Sequence, residues 1–260
     1  MSAALLAWPG AIAIGVSLGL LGSGGSILTV PVLVYLLGQD EKVAIAGSLF
    51  IVGTIAAFGS LQYLRLRLVD SRSVVVFGVP GMLGTYLGAW SAVYVSGLMQ
   101  LTLFALVMLL ASWLMLRPVD LKHGSGEARA TWKIAIDGVV VGIITGLVGV
   151  GGGFLIVPAL VLLGGLSMHK AVGTSLLIIA LKSFSGFVKY LDVLARESLQ
   201  LDWQILAIVS ALGIAGTVAG GQIANRMPQD ALKKGFALFL IVMGIYILAR
   251  SLPAVLATTV

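Results

Sequence analysis

The sequence predicts an all-α polytopic membrane protein. Three observations carry that expectation: a composition too apolar for water, apolar blocks of membrane-crossing length, and an internal duplication. Of 260 residues, 59% are hydrophobic and 10% charged, and mean hydropathy is +1.11. A soluble domain carries about 25% charged residues, so too few charges are present here to cover a water-facing surface. The absence of cysteine removes disulfides, thiolate nucleophiles and sulfur-ligated metal sites. The first basic residue is Lys42, so the first apolar stretch lacks the positive start of a cleavable signal peptide and is expected to be retained.

Charged and Pro/Gly-rich breaks cut the chain into eight apolar blocks: 3–37, 44–64, 73–95, 98–116, 134–163, 171–191, 203–224 and 235–252. Six have the length of one helical span. The first and fifth are too long, because at 1.5 Å per residue they would make roughly 45–50 Å of helix against a hydrocarbon core of about 30 Å. Both are interrupted alike, by Gly19–Pro31 (GLLGSGGSILTVP) and Gly146–Pro158 (GLVGVGGGFLIVP). Glycines that weaken a helix precede prolines that cannot donate a backbone N–H, so Pro31 and Pro158 mark the expected helix breaks. Each long block is expected to fold back as a broken or re-entrant helix pair, followed by three spans.

Residues 15–64 align onto 142–191 at a constant offset of 127 with 20 identities in 50 positions, far above chance even for a Gly/Leu-rich chain. A second register, offset 132, pairs Gly84-Thr85-x-x-Gly88 with Gly216-Thr217-x-x-Gly220 and Phe104-Ala105 with Phe236-Ala237. The chain therefore divides into a first repeat (1–116), a polar linker (117–133) and a second repeat (134–260) of a single membrane domain. An odd number of crossings per half makes the repeats inverted, an even number parallel. Block length favours inversion. That arrangement puts most loop and helix-end lysines and arginines on one side, which the positive-inside rule makes cytoplasmic, and it leaves both termini outside.

Inverted repeats with broken helices at matched positions point to a secondary transporter's binding site. A helix that starts inside the membrane aims unpaired N–H groups and its positive dipole end at a ligand, which favours an anion. Gly24-Gly25-Ser26 and Gly151-Gly152-Gly153 are the two expected helix N-termini; the alternative is that these glycines serve close helix packing. Lys182 lies at the centre of block 171–191, too deep to reach either face, and its repeat counterpart is Ile55. A charge at that depth faces a cavity or a partner, and no carboxylate lies mid-span to neutralise it. A substrate anion is the expected counter-charge; the structural alternative is a lysine bonded to backbone carbonyls. Ser48 and Thr174-Ser175 fall early in the second span of each half and complete the candidate binding set, with Ser183 and Ser185 flanking Lys182.

His123 and His169 lie far apart, so no metal site and no other cofactor is expected. The basic loops are explained by membrane orientation rather than by nucleic acid. An intramembrane hydrolase built on Ser183-Phe184-Ser185-Gly186 or Gly22-Ser23-Gly24 lacks a general base within a span. An anion channel is the other alternative.

The twice-repeated G-x-G-G-G/S-x-x-x-x-P (Gly22–Pro31; Gly149–Pro158), the following A-x-x-x-S-L (Ala44–Leu49; Ala171–Leu176) and the G-T-x-x-G of each half resemble the sulfite exporter TauE/SafE family over about residues 10–250. The resemblance implies a multi-pass permease of the cell inner membrane that moves small sulfur-containing or organic anions, of the sulfite, sulfonate, sulfoacetate or thiosulfate class. The first glycine cluster departs from the second by ending in Ser26. A coupling proton or sodium and a homodimer stay open.

Overall fold

The computed structural model describes residues 2–116, 131–148, 153–162 and 164–259, and among these every regular element is helical. Gly151, Gly152, His123 and linker residues 117–130 lie outside the described residues. Five helices form the first half: α1 (Ser2–Leu21), α2 (Gly24–Leu36), α3 (Glu41–Arg65), α4 (Ser71–Tyr94) and α5 (Gly97–Leu116). Five more follow in the second: α6 (Thr131–Val148), α7 (Gly153–Leu162), α8 (Met168–Arg196), α9 (Trp203–Ala224) and α10 (Gln229–Thr259). Seven helices among the described residues, α3 to α6 and α8 to α10, are long and apolar enough to cross a membrane. The carboxylates at the ends of blocks begin helices: Asp40, Asp70 and Asp202 accept the orphan N–H groups of Lys42, Ser73 and both Gln204 and Ile205.

The first long block folds back on itself. Methyl groups added at Gly25 and Gly24 would come within 2.3 Å of the Ile14 carbonyl oxygen and 2.9 Å of the Ser17 carbonyl, while Gly10 faces Val32 and Leu36, so α2 returns antiparallel along α1. With 13 residues, α2 is only about 20 Å long, short of the bilayer core. The reversal sits at Gly22-Ser23 rather than at the proline: Gly22 has φ +72°, a conformation that glycine adopts without a Cβ penalty. Pro31 lies inside α2, where the helix continues into a wide π-turn (Val32–Leu36), and Pro158 lies inside α7. A missing N–H thus widens or is absorbed by the helix instead of ending it.

Packing between the halves is reciprocal. Helix α1 lies on α9, and α6 lies on α4, each contact made through glycines four residues apart. A methyl group at Gly15 would stand 2.0 Å from the Gly213 carbonyl oxygen and one at Gly19 2.1 Å from that of Thr217. In the matching pair, Gly84 meets Val139 O at 2.2 Å and Gly88 meets Ile143 O at 2.1 Å. The duplicated G-T-x-x-G is therefore a small-residue seam that lets two backbones touch. Between these seams lie α3 and α8, the matched helices, which run antiparallel: Phe50 near the start of α3 packs on Phe187 near the end of α8, and Gly173 near the start of α8 packs beneath Tyr63 near the end of α3. Helices α5 and α10 pair with each other. Outward side chains such as Leu83, Leu106, Leu110, Val242 and Ile245 are exposed apolar surface, which lipid covers.

Candidate functional site

Two polar centres lie in this apolar interior, both touching α8. The first is the α1–α2 reversal. Helix α2 begins at Gly24 with no side-chain cap, and the hydroxyl of its N-cap residue, Ser23, is fully buried without a hydrogen-bond partner. Ser175 Oγ donates to the Gly22 carbonyl at 3.0 Å or to its own helix at Val172, which ties α8 to the turn. Tyr63 donates to the Gly19 carbonyl at 2.8 Å, closing one of the free acceptors at the end of α1. Its repeat counterpart Tyr190 donates to the Leu147 carbonyl at the end of α6, with Gln100 Nε2 as a second donor. The last described turns of α1 and α6 are therefore each bonded by a tyrosine from a neighbouring long helix.

The second centre is Lys182, 0% exposed at the junction of α8, α4 and α6. Its ammonium sits 3.4 Å from the Gly138 carbonyl oxygen and 4.8 Å from the centre of the Phe77 ring. An ammonium has three donors, so one long hydrogen bond and one aromatic face leave it short of partners. Space for it comes from Gly81: a methyl group there would lie 2.0 Å from Lys182 Cε. The other half shows what an ordinary core position looks like. Ile55, the counterpart of Lys182, fills the matching niche against Gly213, which is Gly81 at the 132 offset. A lysine thus occupies a slot whose twin holds an isoleucine.

The remaining predicted residues sort as follows. Gly24 and Gly25 press on the backbone of α1, so their Cα faces are filled, and only their N–H ends address the turn. Ser26 Oγ bonds back to the Ser23 carbonyl at 2.6 Å. Ser48 donates to Ile45 in its own helix at 2.8 Å. Thr174 Oγ1 accepts the Asp70 N–H at 2.9 Å and joins α8 to the start of α4. Gly153 opens α7. Ser175 and Lys182 stand seven residues apart on α8, about 10 Å along one face. Ser23 entered the sequence reading only as a hydrolase serine and not as a binding residue, and Phe77, Gly81 and Gly138 did not enter it. Only Gly81 had a readable signal, its alignment with Gly213.

A cavity of about 240 Å³ opens beside the second centre. Exposed Arg72 and Gly164 stand at its mouth, Asp70 and Asp137 on its walls, and buried Phe77 and Leu160 at its floor.

Long apolar helices around a half-length hairpin, with buried polar centres between the halves, define a multi-pass helical membrane protein of the transporter class. The chain belongs to the sulfite exporter TauE/SafE family, whose model matches residues 7–247. It is 34% identical over 251 residues to a protein of Xylella fastidiosa (strain Temecula1) named a probable membrane transporter protein, covering 94% of each chain. Probable membrane transporter protein YunE of Bacillus subtilis is 32% identical over 256 residues, covering 86% of this chain and 90% of that one. A similarly named protein of Methanocaldococcus jannaschii is 23% identical over 258 residues. No solved structure matches the chain significantly.

Proposed function

We propose that the protein is a secondary transporter that moves a small oxyanion across the cytoplasmic membrane by alternating access. The observation that carries this reading is Lys182, a fully buried lysine in the middle of a span whose Nζ makes one hydrogen bond of 3.4 Å and rests on one aromatic ring. A buried charge of this kind calls for a counter-charge, and an anion supplies it. The uncapped start of α2, with the orphan Ser23 hydroxyl, is a separate centre about 10 Å along α8 whose N–H and O–H donors are also of the kind that hold oxyanions. The antiparallel packing of the matched helices α3 and α8 supports two inverted halves, the arrangement in which one half rocks against the other. The family's description favours sulfur oxyanions.

Transport is favoured over an open channel because the cavity ends at buried Phe77 and Leu160, and the opposite end of α8 is packed by Phe187, Phe50 and Trp203 with ring centres 5.3–6.4 Å apart. A hydrolase is disfavoured by geometry: Ser183 faces Gly53 on α3, whereas Lys182, the adjacent base, turns to Gly81 on α4. The test is counterflow in proteoliposomes with sulfite, thiosulfate, sulfoacetate and acetate, each with and without sodium and a pH gradient. Saturable, trans-stimulated exchange of a sulfur oxyanion is expected. Conductance that neither saturates nor shows trans-stimulation would overturn the transporter reading, and exchange restricted to acetate would overturn the sulfur class.

A further inference from the structure

Phe77 belongs to two environments at once. It forms the floor of the 240 Å³ cavity, and its ring carries the Lys182 ammonium at 4.8 Å. Lys182 itself is 0% exposed and does not line the cavity, and Phe77, 2% exposed, is the side chain that touches both the lysine and the vestibule, whose lining is largely apolar with Asp70, Arg72, Ser73 and Asp137 as its polar groups. At about 30 Å³ per water, the vestibule has room for a hydrated oxyanion. Its mouth lies at the end of the molecule where Asp70 meets Thr174 and His169 meets Ala224. That end carries Arg65, Arg67, Arg72, Lys170, Arg226, Lys233 and Lys234, which the positive-inside rule makes cytoplasmic.

The backbone around Phe77 is suited to movement. Residues Val74–Gly78 form a π-turn, followed by Pro80, which cannot donate to the Val76 carbonyl, and by Gly81. Such turns leave a helix able to shift register locally, and they recur at functional positions. On the far side of Lys182 the rings of Phe187, Phe50 and Trp203 meet in tilted and edge-to-face contacts, whereas the cavity reaches Phe77 on the near side.

The geometry points to Phe77 as the gate between a cytoplasmic vestibule and the anion site at Lys182. This rests on the anion reading of Lys182 and adds the route and the residue that closes it. Arg72 meets the anion at the rim. The ring, seated over the Lys182 Nζ through its π-face, covers that group and swings aside when an oxyanion replaces it as partner.

The cysteine-free chain allows a direct test. A thiol is introduced as Lys182→Cys, and its reaction with the membrane-impermeant, anionic 2-sulfonatoethyl methanethiosulfonate is timed in sealed vesicles of known orientation. With Phe77 present, labelling from the cytoplasmic face should be slow. Phe77→Ala should speed it about tenfold or more, and Phe77→Trp should slow it, as a shift in the open population requires. Asp137→Cys, on the vestibule wall, should label from the same face at a rate neither variant changes. Phe77→Leu keeps an apolar side chain should the alanine variant fail to fold, and it should give an intermediate rate. Equal rates across the Phe77 series, or labelling only from the opposite face, would overturn the gate. No substrate enters this measurement, so its failure is distinguishable from a failure of the anion reading, which is measured by binding.

Discussion

The α4–α6 seam places Gly81 and Gly138 around Lys182, so its tightness can be tested by adding single methyl groups. At Gly84 the added carbon would stand 2.2 Å from the Val139 carbonyl oxygen, and at Gly88 2.1 Å from that of Ile143. Both opposing atoms are backbone, which cannot rotate away, so the two helices must part by about 1 Å to reach ordinary contact. Overpacking of this kind costs roughly 1–3 kcal/mol per site. Gly235 on α10 is the control, because an added methyl there meets nothing within 4 Å, and in an open helical position alanine is favoured over glycine by up to about 1 kcal/mol. The same chemical change should therefore lower stability in Gly84→Ala and Gly88→Ala and leave it unchanged or raised in Gly235→Ala. Thermal unfolding of the purified variants in one detergent measures this. Equal shifts for the three would refute the packing argument, since their only common element is loss of glycine flexibility.

Three further outcomes follow from single contacts. Ser23→Ala removes a buried hydroxyl without a partner, so stability should hold or rise by up to about 1 kcal/mol while anion affinity falls, as calorimetric titration with the transported oxyanion would show. Tyr63→Phe leaves the Gly19 carbonyl without its tyrosine donor and should cost about 1–3 kcal/mol. Tyr190→Phe should cost less because Gln100 also donates to Leu147; comparison of the two unfolding midpoints checks this. Single cysteines at positions 40 and 167 should label from opposite faces of the membrane, and labelling from one face would exclude inverted halves.

Much of the architecture was legible because block length and the 127 offset are one-dimensional signals. They foretold the hairpin, the long helices and their order. The glycine cluster marked the start of α2 at Gly24, and the chain does turn there, through Gly22 at φ +72°; the proline did not act as the second break expected of it, because Pro31 is carried inside the helix by a π-turn. Lys182 was legible from depth alone. Its surroundings were not, since Phe77, Gly81 and Gly138 come from α4 and α6 and meet it only through packing. The glycines at 24 and 25 show the limit of motif reasoning. A binding glycine and a packing glycine look alike in sequence, and these two turn out to press their Cα faces on α1 while the neighbouring Ser23 holds the unpaired group.

The central claim is that Lys182 supplies the positive charge that holds the substrate. Equilibrium binding of the transported oxyanion to purified parent, Lys182→Met and Lys182→Arg proteins tests it most directly. Truncating one partner of a buried, hydrogen-bonded charge pair costs about 2–5 kcal/mol, so the methionine variant should bind at least roughly thirtyfold more weakly. The arginine variant keeps the charge but brings a wider, planar head to the niche over Gly81, and should bind with intermediate affinity. A methionine variant that binds and transports like the parent would contradict the account.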